Sequence, residues 1–135
     1  VILIPKINLP TKTARKILPE TILRKDAIFN IGHAILVMQA LAEGNEALLQ
    51  FAMKDRLHQP YRIPLITGSD AIIKAAENTG AAAGLSGAGP GIIAFTMSDT
   101  NLLRSRMAAA AESFHLKMEI LTPKISCSGA YITIE

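Results

Sequence analysis

The chain has 135 residues, half of them hydrophobic, with 14 Lys+Arg against 11 Asp+Glu, nine glycines, one cysteine and no tryptophan. That is one domain's worth of chain with enough apolar side chains to bury a core, which excludes a disordered or collagen-like polypeptide. A single Cys127 excludes a disulfide framework and an all-cysteine metal site, and no apolar run approaches the roughly 18 residues of a membrane span, so a soluble protein is expected.

Residue 1 is Val rather than Met and opens the apolar run Val1 to Ile4, from which the expectation is that an N-terminal part precedes this chain. The net charge of +3 is placed unevenly: Lys6, Lys12, Arg15, Lys16, Arg24 and Lys25 face only Glu20 in the first 25 residues, leaving the remainder net acidic. A basic first fifth suits an anionic small-molecule site, a nucleic-acid patch or a solvated face. No aromatic residue is interleaved with these cations, which speaks against base stacking.

In chain order, Val1 to Ile4 reads as a buried strand stopped by Pro5. Thr11 or Thr13 caps a short helix through Arg15 and Leu18 that ends at Pro19. Asp26 caps the strongest helix, whose Ile28, Ile31, Ile35, Met38 and Ala42 recur at helical spacing and are widened by Phe29, Leu36, Val37 and Leu41 until Gly44. So broad a stripe predicts burial on most sides. Asn45 caps a helix running through Leu49 and Ala52 to Leu57, and Pro60 and Pro64 make the following stretch a constrained loop. Ser69 caps a helix with Ile72, Ile73 and Ala76 inward and Gly80 as its stop. The strands Ala81 to Ser86 and Ile92 to Thr96 flank a glycine loop. Asp99 or Thr100 caps a helix with Leu103, Met107, Ala110 and Phe114 inward. Met118 and Ile120, then Ala130, Ile132 and Ile134, alternate as half-buried strands do. The order predicts an α+β fold, a mainly antiparallel sheet with helices packed on one face.

The sharpest chemical feature is Gly84-Leu85-Ser86-Gly87-Ala88-Gly89-Pro90-Gly91. Small residues let the backbone approach a ligand, and successive N–H groups in such a turn form an anion nest. The string is not a dinucleotide fingerprint, because a buried strand follows it rather than a helix, and no Gly-Lys-Ser/Thr closes it as a Walker loop. Without a ligand it is a tight β-turn. Arg62, held between Pro60 and Pro64, offers a planar fork for a carboxylate or phosphate, and Arg15 has the same chemistry. Read singly, either arginine is more readily a surface residue. His33, His58 and His115 lack metal-ligand spacing and read as structural, and His33 needs a hydrogen-bond partner if buried. Cys127 reads as a small packed thiol.

Several strings together resemble one family. The glycine string is similar to the third motif of the GHMP small-molecule kinases. Within that superfamily, Arg24-Lys25-Asp26-Ala27-Ile28-Phe29-Asn30-Ile31-Gly32, Asp55-Arg56-Leu57-His58-Gln59-Pro60-Tyr61-Arg62, Pro64-Leu65-Ile66 and Thr11 to Pro19 resemble the homoserine kinases over essentially the whole chain. The resemblance implies a ferredoxin-like C-terminal domain spanning residues 1–135, with the ATP-binding domain outside this chain. It implies transfer of the γ-phosphate of ATP to the hydroxyl of L-homoserine, in threonine biosynthesis. It assigns Arg15 and Arg62 to the amino acid's carboxylate and brings Ser86, Gly87, Ala88 and Gly89 close to the phosphoryl-transfer centre.

By the same resemblance, ATP and Mg²⁺ are held mainly by the N-terminal domain, no catalytic group and no metal ligand lies in these residues, and a homodimer is compatible with the family. The expected partners are L-homoserine, ATP and the chain's own N-terminal domain, with no nucleic acid and no membrane, in the cytoplasm. The superfamily's Pro-x-x-x-Gly-Leu-Gly-Ser-Ser-Ala nucleotide loop is not in this sequence, so these residues alone are expected to be inactive. Thr67 stands where the family usually has Pro, and His33 where Arg is common. The competing readings are a stand-alone ferredoxin-like module that senses an amino acid, and another GHMP kinase with a mevalonate-type acceptor.

Overall fold

The computed structural model describes residues 1–126, 128–130 and 132–133. Cys127 and Ile134 therefore lie outside the described residues, and with them the packed thiol and the end of the expected last strand.

Strands β1 (Ile2–Pro5), β2 (Ala82–Leu85), β3 (Ile92–Phe95) and β4 (Met118–Leu121) form one sheet in the order β2-β3-β1-β4. All three pairings are antiparallel. β1 enters the middle of the sheet because it alternates: Leu3 and Pro5 are buried while Ile2 and Ile4 are half-covered. The helices between β1 and β2 and the helix between β3 and β4 complete the split β-α-β layout of the ferredoxin-like class. Ala130 and Ile132 belong to no strand, and Ile132 is exposed, so the second half of the expected C-terminal strand pair is not formed among the described residues.

Six α-helices are present among the described residues: α1 (Thr11–Lys16), α2 (Arg24–Glu43), α3 (Glu46–Ala52), α4 (Gln59–Arg62), α5 (Ser69–Glu77) and α6 (Thr100–Glu112). α5 and α6 pack together on one sheet face, where Ile72, Leu103 and Met107 meet Leu3, Ile92 and Ala94 in the main core. A fully buried side chain of this kind stabilises by roughly 1.5–3 kcal/mol relative to exposure. α2 and α3 additionally cover the other face of edge strand β2, through Ala40, Leu49, Ala82 and Phe95. Every residue of β2 is buried, as a strand covered on both faces must be.

The caps differ from expectation in instructive ways. Asn45 and Asp99 do cap α3 and α6, accepting from the N–H groups of Leu48 and Asn101 at 3.0 and 2.8 Å. Helix α1 follows Pro10, with no side-chain cap from Thr11 or Thr13. Asp26 lies inside the first turn of α2, where a carboxylate favours the helix dipole, while Leu23 occupies the cap position. Gly68 rather than Ser69 precedes α5, and Ser69 Oγ donates instead to the Ile63 carbonyl at 3.0 Å. α3 stops at Ala52 rather than Leu57, and Asp55 then accepts from the N–H groups of His58 and Gln59 at the start of α4. The loop expected between Pro60 and Pro64 is itself helical: α4 continues into a 3-10 turn over Ile63–Leu65.

The largest departure is α2. Its inward face carries the buried His33 and Ala40, but Ile28, Ile31, Ile35 and Met38 are 59–71% exposed. The stripe is broad because the helix has two apolar faces, and the described chain covers one of them.

Candidate functional site

Arg62 ends α4 and is 9% exposed. The helix that carries it is pinned at its start, where the His58 carbonyl accepts from the N–H groups of Tyr61 and Arg62. No carboxylate lies within ion-pair distance of this guanidinium among the described residues. Its Nε donates to the Ala14 carbonyl at 3.0 Å and its Nη1 to the Gly87 carbonyl at 3.2 Å. One side chain therefore staples α1 to the glycine loop, across 48 and 25 residues of sequence. Nη2 takes no partner among the described residues, which leaves part of the five-donor fork open. A guanidinium this buried without an anion is costly, and an anion docked on its free edge would relieve that cost.

The glycine loop closes β2 onto β3. Ser86 N–H donates to the Gly91 carbonyl at 2.8 Å and Gly89 N–H to the Ser86 carbonyl at 3.1 Å. Gly87 has φ +60°, a conformation that disfavours residues with a Cβ, so glycine is the residue that holds this backbone, and aims its carbonyl at Arg62, without strain. The N–H groups of Gly87 and Ala88 donate to nothing among the described residues, which makes them available to an anion. Ser86 and Gly87 are exposed, while Ala88 and Gly89 are half-buried. The Gly89-Pro90 peptide is cis.

Arg15 is exposed on α1 and has no hydrogen-bond or ion-pair partner among the described residues. Its neighbour Ala14 is fully buried and supplies the carbonyl that Arg62 grips. Three segments singled out in the sequence thus meet: the loop through Arg62, the α1 segment that bears Arg15, and the glycine loop. They are joined by backbone carbonyls, with Arg62 as the common donor.

A second cluster supports the junction, and no chemical role was read for it from the sequence. Asp55 accepts from Asn30 Nδ2, and from the backbone N–H groups of His58 and Gln59 at 2.8 and 2.6 Å. Asn30 in turn accepts from the Arg56 N–H at 2.9 Å. Gln59 Oε1 accepts from Leu85 N–H at 3.0 Å and its Nε2 donates to the Met53 carbonyl at 3.3 Å. Gly84 is what admits Gln59, since a Cβ there would stand 3.0 Å from Oε1. Burial pushes the Asp55 carboxyl up, but the bonds from Gln59, His58 and Asn30 and the nearby His58 ring outweigh it, so Asp55 titrates below the ordinary aspartate range. The signal available in the sequence was position alone: an Asp three and four residues ahead of a Pro-containing turn is placed to cap it.

Around this cluster Phe29 stacks on His33 at 3.7 Å between ring centres, and Arg56 lies 3.8 Å over Phe29 while pairing with Asp26. His33 is buried, as its place in the helix suggested, and its Nδ1 lies 2.9 Å from the Phe29 carbonyl. A cleft of about 540 Å³ opens here, but it does not include Arg62. Of its carboxylates, Asp55 and Asp70 are already committed, to the α4 turn and to Lys74, while Glu77 also lines it. Arg62, outside this cleft, is a buried cation with no ion pair among the described residues, and an anionic ligand would find its charge there.

The family described as GHMP kinases C terminal matches residues 37–123. The chain is 44% identical over 134 residues to the homoserine kinase of Caldicellulosiruptor saccharolyticus, covering 97% of this chain and 44% of that protein. It is 40% identical over 137 residues to the homoserine kinase of a Synechococcus strain, covering all of this chain and 45% of that protein. Among solved structures, the homoserine kinase of Cytophaga hutchinsonii superposes with a TM-score of 0.81 at 29% identity, over 87% of this chain and 38% of that one. The chain spans less than half the length of these relatives.

Proposed function

Because the chain belongs to the GHMP kinase C-terminal family, we propose that it is the part of a homoserine kinase that reads the amino acid's carboxylate. The single observation that carries this reading is Arg62: nine-tenths buried, without a carboxylate partner among the described residues, and stapling the Arg15 segment to the glycine loop. In this reading the free edge of Arg62 and the exposed Arg15 receive the carboxylate of L-homoserine from two sides. The unpaired N–H groups of Gly87 and Ala88 lie beside the path of the transferred phosphoryl group, where preorganised donors are most effective. The homoserine hydroxyl oxygen forms the new bond to the γ-phosphorus, the bond from that phosphorus to the β,γ-bridging oxygen breaks, and ADP departs. The product is O-phospho-L-homoserine, on the way to threonine.

Membership of a kinase family implies ATP as donor. Mg²⁺ does not fit the residues at hand: no cluster of three His, Cys, Asp or Glu side chains occurs among the described residues, and Asp55 is occupied by three N–H donors. No step is routed through the ion here, and in this reading ATP with its metal belongs to a nucleotide-binding domain outside these residues. No helix of the described residues is long and apolar enough to cross a membrane, and the reading places the enzyme in the cytoplasm.

The test is a chimera in which this chain replaces the C-terminal part of the C. saccharolyticus relative. Coupled ADP release is followed with L-homoserine and, separately, with mevalonate. Activity confined to homoserine is expected, with none from the 135-residue chain alone. A folded chimera that prefers mevalonate, or that releases ADP with neither acceptor, overturns the reading.

A further inference from the structure

We infer that Gln59 is a positioning residue: it locks the register of β2 against α4 and thereby sets where the N–H groups of Gly87 and Ala88 stand. The inference rests on the reading that those donors serve the transferred phosphoryl group. β2 is an outer strand of the sheet. Ser86 N–H turns inward to the Gly91 carbonyl, so the Leu85 N–H before it points away from β3, where no strand of the sheet meets it. Gln59 Oε1 fills that place at 3.0 Å, and three residues further along α4 Arg62 Nη1 meets the Gly87 carbonyl at 3.2 Å. One turn of α4, with a rise of about 4.5 Å, thus holds two alternate residues of the chain, about 6.6 Å apart when extended. The two side chains do for β2 what a neighbouring strand would do.

The amide of Gln59 has one productive orientation. Its Nε2 donates to the Met53 carbonyl at 3.3 Å, so a flipped amide would set oxygen against that carbonyl and NH2 against the Leu85 N–H. Its backbone N–H donates to Asp55 at 2.6 Å, which fixes the start of α4. The register has one solution as well. Gly84 does not adopt a positive φ, so space rather than backbone conformation calls for glycine: a Cβ there would stand 3.0 Å from Oε1 and 3.3 Å from Nε2 of Gln59. Ala82 and Ser86, which share its strand face, carry a Cβ, so a slip of two residues brings a methyl or methylene group under Gln59. A slip of one residue presents Gln59 with an N–H that pairing with β3 already uses. With Leu85 held, the loop starts at a set point, and the Gly87 carbonyl falls to Arg62.

Variants of the chimera separate this role from simple packing. Gln59→Met keeps the length of the side chain and removes the acceptor, whereas Gln59→Glu keeps an acceptor oxygen for Leu85. Gly84→Ala leaves Gln59 in the sequence but pushes it off the strand. In Gln59→Met, kcat per folded molecule is expected to fall about 10- to 100-fold, with KM for L-homoserine and for ATP within about twofold of wild type, because a displaced donor weakens the transition state rather than substrate binding. Gln59→Glu is expected to keep most of kcat. Gly84→Ala is expected to lower kcat, and to matter much less when Gln59 is already alanine. Hydrogen exchange reads the contact without activity: the Leu85 amide is expected to exchange about tenfold faster in Gln59→Met, while the Ser86 amide, paired with Gly91, changes little. Unchanged kcat in Gln59→Met, equal losses in Gln59→Met and Gln59→Glu, or additive effects of Gly84→Ala and Gln59→Ala overturn the inference. A wild-type chimera that releases no ADP overturns the functional reading instead, and exchange then decides the register lock alone: faster exchange at Leu85 upholds it and unchanged exchange overturns it.

Discussion

Asp55→Asn removes the charge on which the approach to Arg62 is built. In the wild-type protein one carboxylate oxygen accepts from Asn30 Nδ2 and the other from the N–H groups of His58 and Gln59. An asparagine has one acceptor oxygen. If that oxygen keeps the two backbone N–H groups, its own NH2 faces the NH2 of Asn30, donor against donor. Asn30 cannot turn over without loss, because its oxygen already accepts from the Arg56 N–H. One bond to a charged group is therefore lost and two more become neutral. A hydrogen bond to a charged group contributes roughly 1.5–3 kcal/mol and a neutral one about half that. The Asp55 side chain is only 8% exposed, so water recovers little of the difference. The expected cost is about 3–6 kcal/mol, a large share of the stability of a domain this size. Urea unfolding of wild type and variant, with the m-value held common, measures it. An Asn30→Ala, Asp55→Asn cycle should show the two residues coupled. A cost within about 0.5 kcal/mol of zero, or strict additivity with Asn30→Ala, would refute the network as drawn.

The acid limb of stability carries the same information. The folded carboxyl of Asp55 lies below its unfolded value of 3.8, so its stabilising contribution is complete above about pH 4 and is lost as pH falls through the lower folded pKa. Wild type should therefore destabilise more steeply than Asp55→Asn below pH 4 in urea titrations, and parallel acid limbs would contradict the assignment. In the chimera, Arg62→Lys should raise KM for homoserine by about tenfold or more while KM for ATP moves little, because a point charge cannot grip Ala14, Gly87 and a carboxylate together. Equal shifts in both KM values in initial-rate kinetics would argue against a role at the acceptor. Gly87→Val should cost about 1–3 kcal/mol in thermal or urea unfolding, since valine is strained at φ +60°, and should lower kcat as well. Wild-type stability together with wild-type turnover would mean that the loop tolerates another backbone.

The strands and the long helices were legible because they rest on periodicity. Leu3 and Pro5 alternate with their neighbours, Ile72 and Ile73 face inward with Ala76, and Leu103 with Met107 forms a single stripe, so local pattern and tertiary burial agree. The arginines and the glycine loop were singled out by their chemistry, and the family strings put them in one expected site; what the structure shows is Arg62 bonded to the glycine loop and to the segment that bears Arg15. Their junction was not legible, since a bond from Arg62 Nε to the Ala14 carbonyl joins residues 48 apart through a backbone atom that any residue type would supply. The same holds for Asp55, whose partners are mostly backbone N–H groups. The end of α3 was misplaced because propensity favours continuing the helix to Leu57, while Asp55 is used to start a separate helix by accepting from the N–H groups of His58 and Gln59. The two apolar faces of α2 read as one broad stripe because hydrophobicity alone does not distinguish a face covered by the chain itself from one left for another molecule.

The measurement that bears most directly on the central claim is a substrate-by-variant comparison in the chimera. Coupled ADP release would be recorded for L-homoserine and for 3-aminopropan-1-ol, which keeps the hydroxyl and the amine but has no carboxylate, with Arg62 intact and as Arg62→Ala. If Arg62 reads the carboxylate, the intact protein favours homoserine by about 10- to 150-fold in kcat/KM, the equivalent of roughly 1.5–3 kcal/mol, and Arg62→Ala removes most of that preference. A preference that survives intact in Arg62→Ala would place carboxylate recognition elsewhere and leave Arg62 as a staple alone.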